Sequence, residues 1–205
     1  YENEVVVEGW QRRTGRSVKE RMGELKGLVG GFLVTFVELE GRLQGTALDR
    51  VAELREAARP ARLTVAGGIA TAEEIAALDA LGVDAQVGMA LYTGKLDLAD
   101  ALAAPLLSDR PDGLWATVVT DIHGVALGLA WSDRESLREA IRTRRGVYRS
   151  RSRGLWRKGE SSGASQELLR VDLDCDRDAL RFLVRQHGSG FCHRKEWTCW
   201  GPSGG

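Results

Sequence analysis

All three cysteines of the chain, Cys175, Cys192 and Cys199, lie in its last third, with Asp172, Asp174, Asp176, Asp178 and His193 close by. An odd number of thiols cannot close a disulfide set, so metal binding is the chemistry to consider first. Thiolates select zinc, whereas closely spaced carboxylates select magnesium or a similar hard cation. Three protein ligands leave the fourth position of zinc open. That is the pattern of a catalytic site, in which bound water becomes acidic enough to ionise near neutral pH. The first expectation is a metal-assisted hydrolase.

The elements that must position these groups follow from periodicity. Residues 167–175 predict a strand with Leu169, Val171, Leu173 and Cys175 on one face and Asp172, Asp174 and Asp176 on the other. Asp178 continues the acidic parity, or caps a helix beginning at Ala179. Asp172 reads as a solvated strand residue. A dense row of like charges at Asp174, Asp176 and Asp178 repels itself unless a cation neutralises it. Leu180, Phe182 and Val184 form a return strand or a short helix, and residues 188–190 a turn.

Ahead of these strands, residues 142–158 (RTRRGVYRSRSRGLWRK) hold seven arginines, one lysine and no acid. Such a segment suits nucleic acid or a phosphorylated small molecule, since guanidinium forks match phosphate geometry, or is simply a solvated basic strand. Arg149, Arg151 and Arg153 would share one face of a strand. The Ser/Gly-rich residues 158–166 that follow favour a defined small-anion site over a long polyanion track.

The first hundred residues read as strand and helix in alternation, so their strands should be parallel. Strands are expected at residues 5–7, 32–37, 63–66 and 83–87, and residues 9–15 read as a loop. Helices are expected from Ser17 to about Val29, over residues 46–58, from Thr71 to Leu81, and over residues 96–107. Ser17 with Glu20 and Thr71 with Glu74 have the spacing of capping boxes. A turn-rich joint at residues 106–114 divides the chain into 1–107 and 108–205. Beyond it come strands at 115–120 and 125–130, joined by a turn holding His123 as a solvated residue. A helix follows, with Ser132 as cap and Glu135 at the box position.

Composition is that of an ordinary globular protein: 205 residues, 43% hydrophobic, 28% charged, with 29 basic residues balancing 29 acidic ones. No apolar run approaches a membrane span. Free thiols and the lack of a visible signal peptide suit the cytoplasm. The chain opens at Tyr1, inside what reads as a β-hairpin, which implies an upstream piece. Residues 201–205 (GPSGG) read as a flexible tail or linker.

Two resemblances sharpen these expectations. VVVEGWQRRTG, GGFLVTFVELEGRLQGT and LTVAGGIATAEEIAALDALGVDAQVGMALYTGKLDL resemble the second half of a ProFAR isomerase, a (βα)8-barrel enzyme of histidine biosynthesis. The resemblance places Gly67, Gly68 and Gly88 on phosphate-binding loops, Thr35 on the sixth-strand threonine, and Glu40 where that family often has aspartate. Its two catalytic aspartates fall on strands before Tyr1, so isomerase activity is not expected of these residues. A bifunctional enzyme would need those strands.

SRSRGLWRKGESSG, DLDCDRDAL, GFCH and TCWG resemble phosphoribosyl-AMP cyclohydrolase. That resemblance implies zinc on Cys175, Cys192 and Cys199, shared between the chains of a homodimer, and magnesium on Asp174, Asp176 and Asp178. It also implies hydrolysis of the adenine ring of phosphoribosyl-AMP between N1 and C6. Arg151, Arg153 and Lys158 would hold the ribose phosphate, Ser161, Ser162 and Gly163 would donate hydrogen bonds, and His193 would shuttle protons. Many members read SGN where this chain has Ser162-Gly163-Ala164, a departure that resembles the fungal multifunctional histidine enzymes. The expected architecture is an α/β half-barrel of parallel βα units followed by a smaller α+β, mainly antiparallel metal-binding domain, with no nucleic-acid or membrane partner. The competing expectation is a structural-zinc module that binds RNA.

Overall fold

The computed structural model describes residues 1–201; the expected tail lies, beyond Gly201, outside the described residues. The chain divides into two compact units, Tyr1–Asp97 and Leu98–Gly205.

In the first unit, β1 (Glu4–Val7) and β2 (Arg12–Ser17) form an antiparallel hairpin, so much of the segment expected as loop is a strand. Then come α1 (Val18–Leu25), β3 (Gly31–Thr35), a short 3-10 turn at Val37–Leu39, α2 (Leu48–Ala58), β4 (Arg62–Ala66), α3 (Ala72–Ala80), β5 (Asp84–Gln86) and α4 (Met89–Tyr92). The strands β3, β4 and β5 pair in parallel in sequence order, as the alternation of strand and helix requires. Both capping boxes are present, Ser17 with Glu20 and Thr71 with Glu74. The Glu74 carboxylate also accepts the amides of Thr46 (2.7 Å) and Ala70 (2.9 Å), binding the loop before α2 to the start of α3. Helix α1 stops at Leu25, several residues before Val29. Gly27 follows one residue after its cap, and glycine is a poor helix former. Val51, Leu54, Ala58, Leu63, Val65 and Leu78 form the buried centre of this unit.

The second unit starts earlier than the turn-rich joint suggested. Helix α5 (Leu98–Ala103) packs on α6 (Arg134–Thr143), and its Ala99 and Ala103 are buried in the second core. Hydrophobic burial thus assigns α5 to this unit, although the polar turn comes later in the sequence. The helix expected over 96–107 is present as the shorter α5.

Strands β6 (Trp115–Thr120), β7 (Ala126–Ser132), β10 (Gln166–Leu173) and β11 (Ala179–Gln186) form one sheet in the order β10-β11-β6-β7. The β11–β6 pair is parallel and the other two pairs are antiparallel. A separate hairpin of β8 (Val147–Ser150) and β9 (Gly154–Arg157) follows α6. Val119, Leu127, Leu137, Tyr148, Phe182 and Val184 are fully or almost fully buried together.

Two local expectations shift for physical reasons. Ser132 does not cap α6: its buried hydroxyl accepts from Thr117 Oγ1 at 2.8 Å. Asp133 caps instead, accepting the Ser136 amide at 2.8 Å, while Ser136 Oγ accepts the Asp133 amide at 2.9 Å. In β10 a bulge between Leu168 and Arg170 resets the alternation. Leu168, Val171 and Leu173 reach the core, and Leu169 turns out to solvent.

Candidate active site

Strand β10 ends at Leu173, so the aspartates are gathered by the loop joining β10 to β11 and not by strand parity. Asp174 Oδ1 accepts the amides of Asp178 and Ala179, each at 3.1 Å, which curls the loop. The loop also places Arg177 at φ +66°. Asp174, Asp176 and Asp178 thereby present carboxylate oxygens within 4.8 Å of one another. No helix starts after Asp178; β11 begins at Ala179. The electrostatics match the crowding. A shared hydrogen bond with Asp174 and then the charge of Asp176 push the Asp178 carboxyl above its ordinary value. Burial acts to raise Asp174, but the two amides and its neighbours hold it below. Three carboxylates this close are a donor set for a hard divalent cation.

The cysteines do not gather within one chain. Cys192 and Cys199 line a cleft of about 700 Å3 with Arg153, Trp156, Lys158, Ser161, Ser162 and His193. Cys175 is exposed on the acidic loop and lies outside that cleft. Among the described residues, Asp174, Asp176 and Asp178 form the single group of three potential ligands that is already assembled. Cys192 and Cys199 are neighbours in the cleft and act on each other electrostatically. Burial and then the Cys192 charge push the Cys199 thiol up, and Lys158 opposes them.

Lys158 is half-buried. Its ammonium donates to the carbonyls of Ala164 (3.1 Å) and Gly190 (3.4 Å) and lies 5.6 Å from the centre of the Phe191 ring. Burial lowers its pKa, while the two cysteines act to raise it. Lys158 thus shares the cleft with both thiols, with two of its donors already engaged by carbonyls. Gly163 adjoins the cleft next to buried Ala164, whose small side chain lines it.

The arginine segment is not one strand. Residues 151–153 form the turn between β8 and β9, so Arg149, Arg151 and Arg153 do not share a strand face. Helix α6 and its cap also supply acids that residues 142–158 lack. Arg149 pairs with Asp133 (3.3 Å) and Glu135 (2.8 Å), while Arg142 and Arg157 both pair with Glu139. Arg151 and Arg153 instead lie over indoles, 5.6 Å from the Trp131 centroid and 5.7 Å from that of Trp156. They line a second cleft of about 580 Å3 that shares its Arg153–Trp156 wall with the first.

Several residues that shape the site carry no ligand chemistry of their own. A Cβ on Gly128 of β7 would fall on the edge of the Phe191 ring and 3.2 Å from Cys199 Sγ. Gly190 has φ +117°, and a Cβ there would strike the backbone of Glu196 and Trp197. Behind the cleft, buried Tyr148 donates to Gln166 (2.6 Å), and Gln166 donates to Gln186 (2.8 Å). Gly128→Ala is expected to displace Phe191 and Cys199 and, on the zinc reading proposed below, to lower zinc affinity at least about tenfold. Zinc competition against a chelator checks this; unchanged affinity would show that the contact does not set the thiol position.

In the first unit, Thr35, Glu40, Gly67, Gly68 and Gly88 line one cleft of about 190 Å3 at the carboxyl ends of β3–β5. The residues that the isomerase resemblance singled out are thus neighbours.

Comparison with known proteins agrees with this division. Residues 128–201 match the family described as phosphoribosyl-AMP cyclohydrolase, and residues 1–97 match the family described as histidine biosynthesis protein. The chain is 46% identical over 142 residues to the histidine biosynthesis trifunctional protein of Komagataella pastoris, covering 69% of this chain and 16% of that one. It is 56% identical over 108 residues to the trifunctional protein of Neurospora crassa, covering 53% and 12%. With the histidine biosynthesis bifunctional protein of Thermus thermophilus, identity is 51% over 89 residues, covering 42% and 41%. The chain therefore spans less than half the length of each of these relatives. Among the described residues, no helix is long and apolar enough to cross a membrane.

Proposed function

We propose that the second unit, through the segment that matches the phosphoribosyl-AMP cyclohydrolase family, opens the adenine ring of phosphoribosyl-AMP between N1 and C6. The product would be ProFAR, in histidine biosynthesis. The observation that carries the reading is the pairing of Cys192 and Cys199 in a cleft walled by Lys158, Arg153 and two serines. That arrangement offers two ligands for a soft metal beside groups that bind phosphate.

The donor sets fit two ions. Cys192 and Cys199 would hold zinc from one chain, and Cys175, exposed on its loop, would complete the set from a second copy in a homodimer. Asp174, Asp176 and Asp178 would hold magnesium. Zinc held there would supply an activated water, and magnesium a positive charge to offset that of the substrate. His193, exposed in the cleft, moves the proton that ring opening requires. Lys158 offsets the negative charge of the thiolate pair, and its carbonyl bonds fix it in place.

The substrate carries two phosphates, and two clefts meet at Arg153 and Trp156. Ser161, Ser162 and Gly163 serve the first cleft, and Arg151 serves the second. Arg153→Ala is expected to raise KM about tenfold or more with kcat changed little, because a charge-assisted phosphate contact acts on bound substrate and transition state alike. Steady-state kinetics decide it; a fall in kcat alone would remove Arg153 from substrate binding. The function itself is tested by incubating the chain with phosphoribosyl-AMP and identifying the product by mass. Gain of one water supports the reading, and unchanged substrate refutes it.

A further inference from the structure

The residues from Phe191 to Cys199 belong to no helix or strand, yet they must hold two thiols at a fixed separation. Backbone bonds close the loop on itself: Phe191 N–H donates to Trp197 O (3.0 Å) and Cys192 N–H to Glu196 O (3.1 Å). Cys199 N–H donates to Leu127 O of β7 at 2.8 Å. A side-chain bond ties the same loop to the far end of β6: Trp197 Nε1 donates to Asp121 Oδ2 at 3.0 Å.

Asp121 is buried, with 3% of its surface exposed. Its two oxygens divide their work. Oδ1 accepts the amides of His123 and Val125, each at 2.9 Å, and so closes the β6–β7 turn. Oδ2 takes the indole of Trp197. One carboxylate thus joins the turn that leads into β7 to the loop that carries both cleft cysteines. The indole lies two residues from Cys199 and packs against the core, so its position fixes the entry of the chain into the second thiol.

We propose that Asp121 is a positioning residue for the zinc loop, acting through the Trp197 indole to hold Cys192 and Cys199 at ligating separation. The inference rests on the zinc reading above. Chemically it is the role of an outer partner that orients metal ligands, here through the backbone of their loop. Loss of such partners typically lowers metal affinity about 10–100-fold.

Two substitutions isolate the bond. Asp121→Asn keeps an oxygen for the turn amides but presents an NH2 group to the indole N–H, donor against donor. Trp197→Phe keeps an aromatic ring in the core and removes only the donor. Each is expected to weaken zinc about 10–100-fold in chelator competition, and the double variant to be no weaker than either single one. Thr117→Val, which removes the buried Thr117–Ser132 bond elsewhere in the sheet, serves as the control. It should lower the melting temperature while leaving zinc affinity unchanged.

Zinc affinity within about twofold of the original in both single variants would overturn the proposal; so would an equal loss in the control, which would mark the effect as general destabilisation. Should Asp121→Asn fail to fold, Trp197→Phe decides alone. A purified original chain that takes up no zinc would instead refute the cyclohydrolase reading, and the inference with it.

Discussion

Cys192→Ser is expected to lower turnover of phosphoribosyl-AMP by at least about 10^3-fold, the order of loss when one member of a catalytic unit is removed. The fold should survive. Cys192 is half-buried in a loop and lies outside the packed centre of the unit. Serine is nearly isosteric, so the backbone bonds from Cys192 N to Glu196 O and from Lys195 N to Cys192 O need not change. What is lost is a sulfur donor, and a hydroxyl is a poor ligand for a soft metal. Turnover and melting temperature measured on one preparation check both halves. Unchanged turnover would remove Cys192 from the metal set, and an unfolded protein would show that the thiol is structural.

Mixing Cys175→Ser and Cys192→Ser proteins, each inactive alone, should restore about a quarter of the original turnover. The structure places Cys175 on the exposed loop between β10 and β11 and the other two thiols in the cleft. If each zinc takes Cys175 from one chain and the pair from the other, a mixed dimer holds one site with both defects and one with none. Random exchange makes about half of the dimers mixed, with one of two sites intact in each. Mixing Cys192→Ser with Cys199→Ser is the internal control, because both cysteines belong to the pair that one chain supplies, so each site of a mixed dimer receives a damaged pair and none is whole. Recovery in the first mixture and none in the second supports a shared site. No recovery in either would place the whole site within one chain.

The candidate ligands stood out in the sequence because cysteines and aspartates are rarely set in such short spacings. Parallel β3–β5 and two capping boxes were also legible, since those signals are local. The departures arise where distant parts of the chain compete for a group. Ser132 has the composition of a helix cap, but Thr117 on the neighbouring strand takes its hydroxyl. Arg149 belongs to a basic segment, yet the acids that pair with it come from the start of α6. The β10 bulge moved Leu169 outward because register depends on β11. Gly128 and Asp121 went unnoticed for the same reason. A glycine in a strand and an aspartate in a turn look ordinary until Phe191, Cys199 and Trp197 are brought against them. The acidic triplet is a mixed case: its composition was informative, and its geometry is set by the amides that Asp174 accepts.

The most direct test of the central claim is the absorbance change of phosphoribosyl-AMP in the ultraviolet on addition of the purified chain, first loaded with zinc and magnesium, then stripped by a chelator, then reloaded. The account predicts ring opening with both metals, loss of at least about 10^3-fold on stripping, and recovery on reloading. A folded, zinc-loaded dimer that leaves the absorbance unchanged would contradict it.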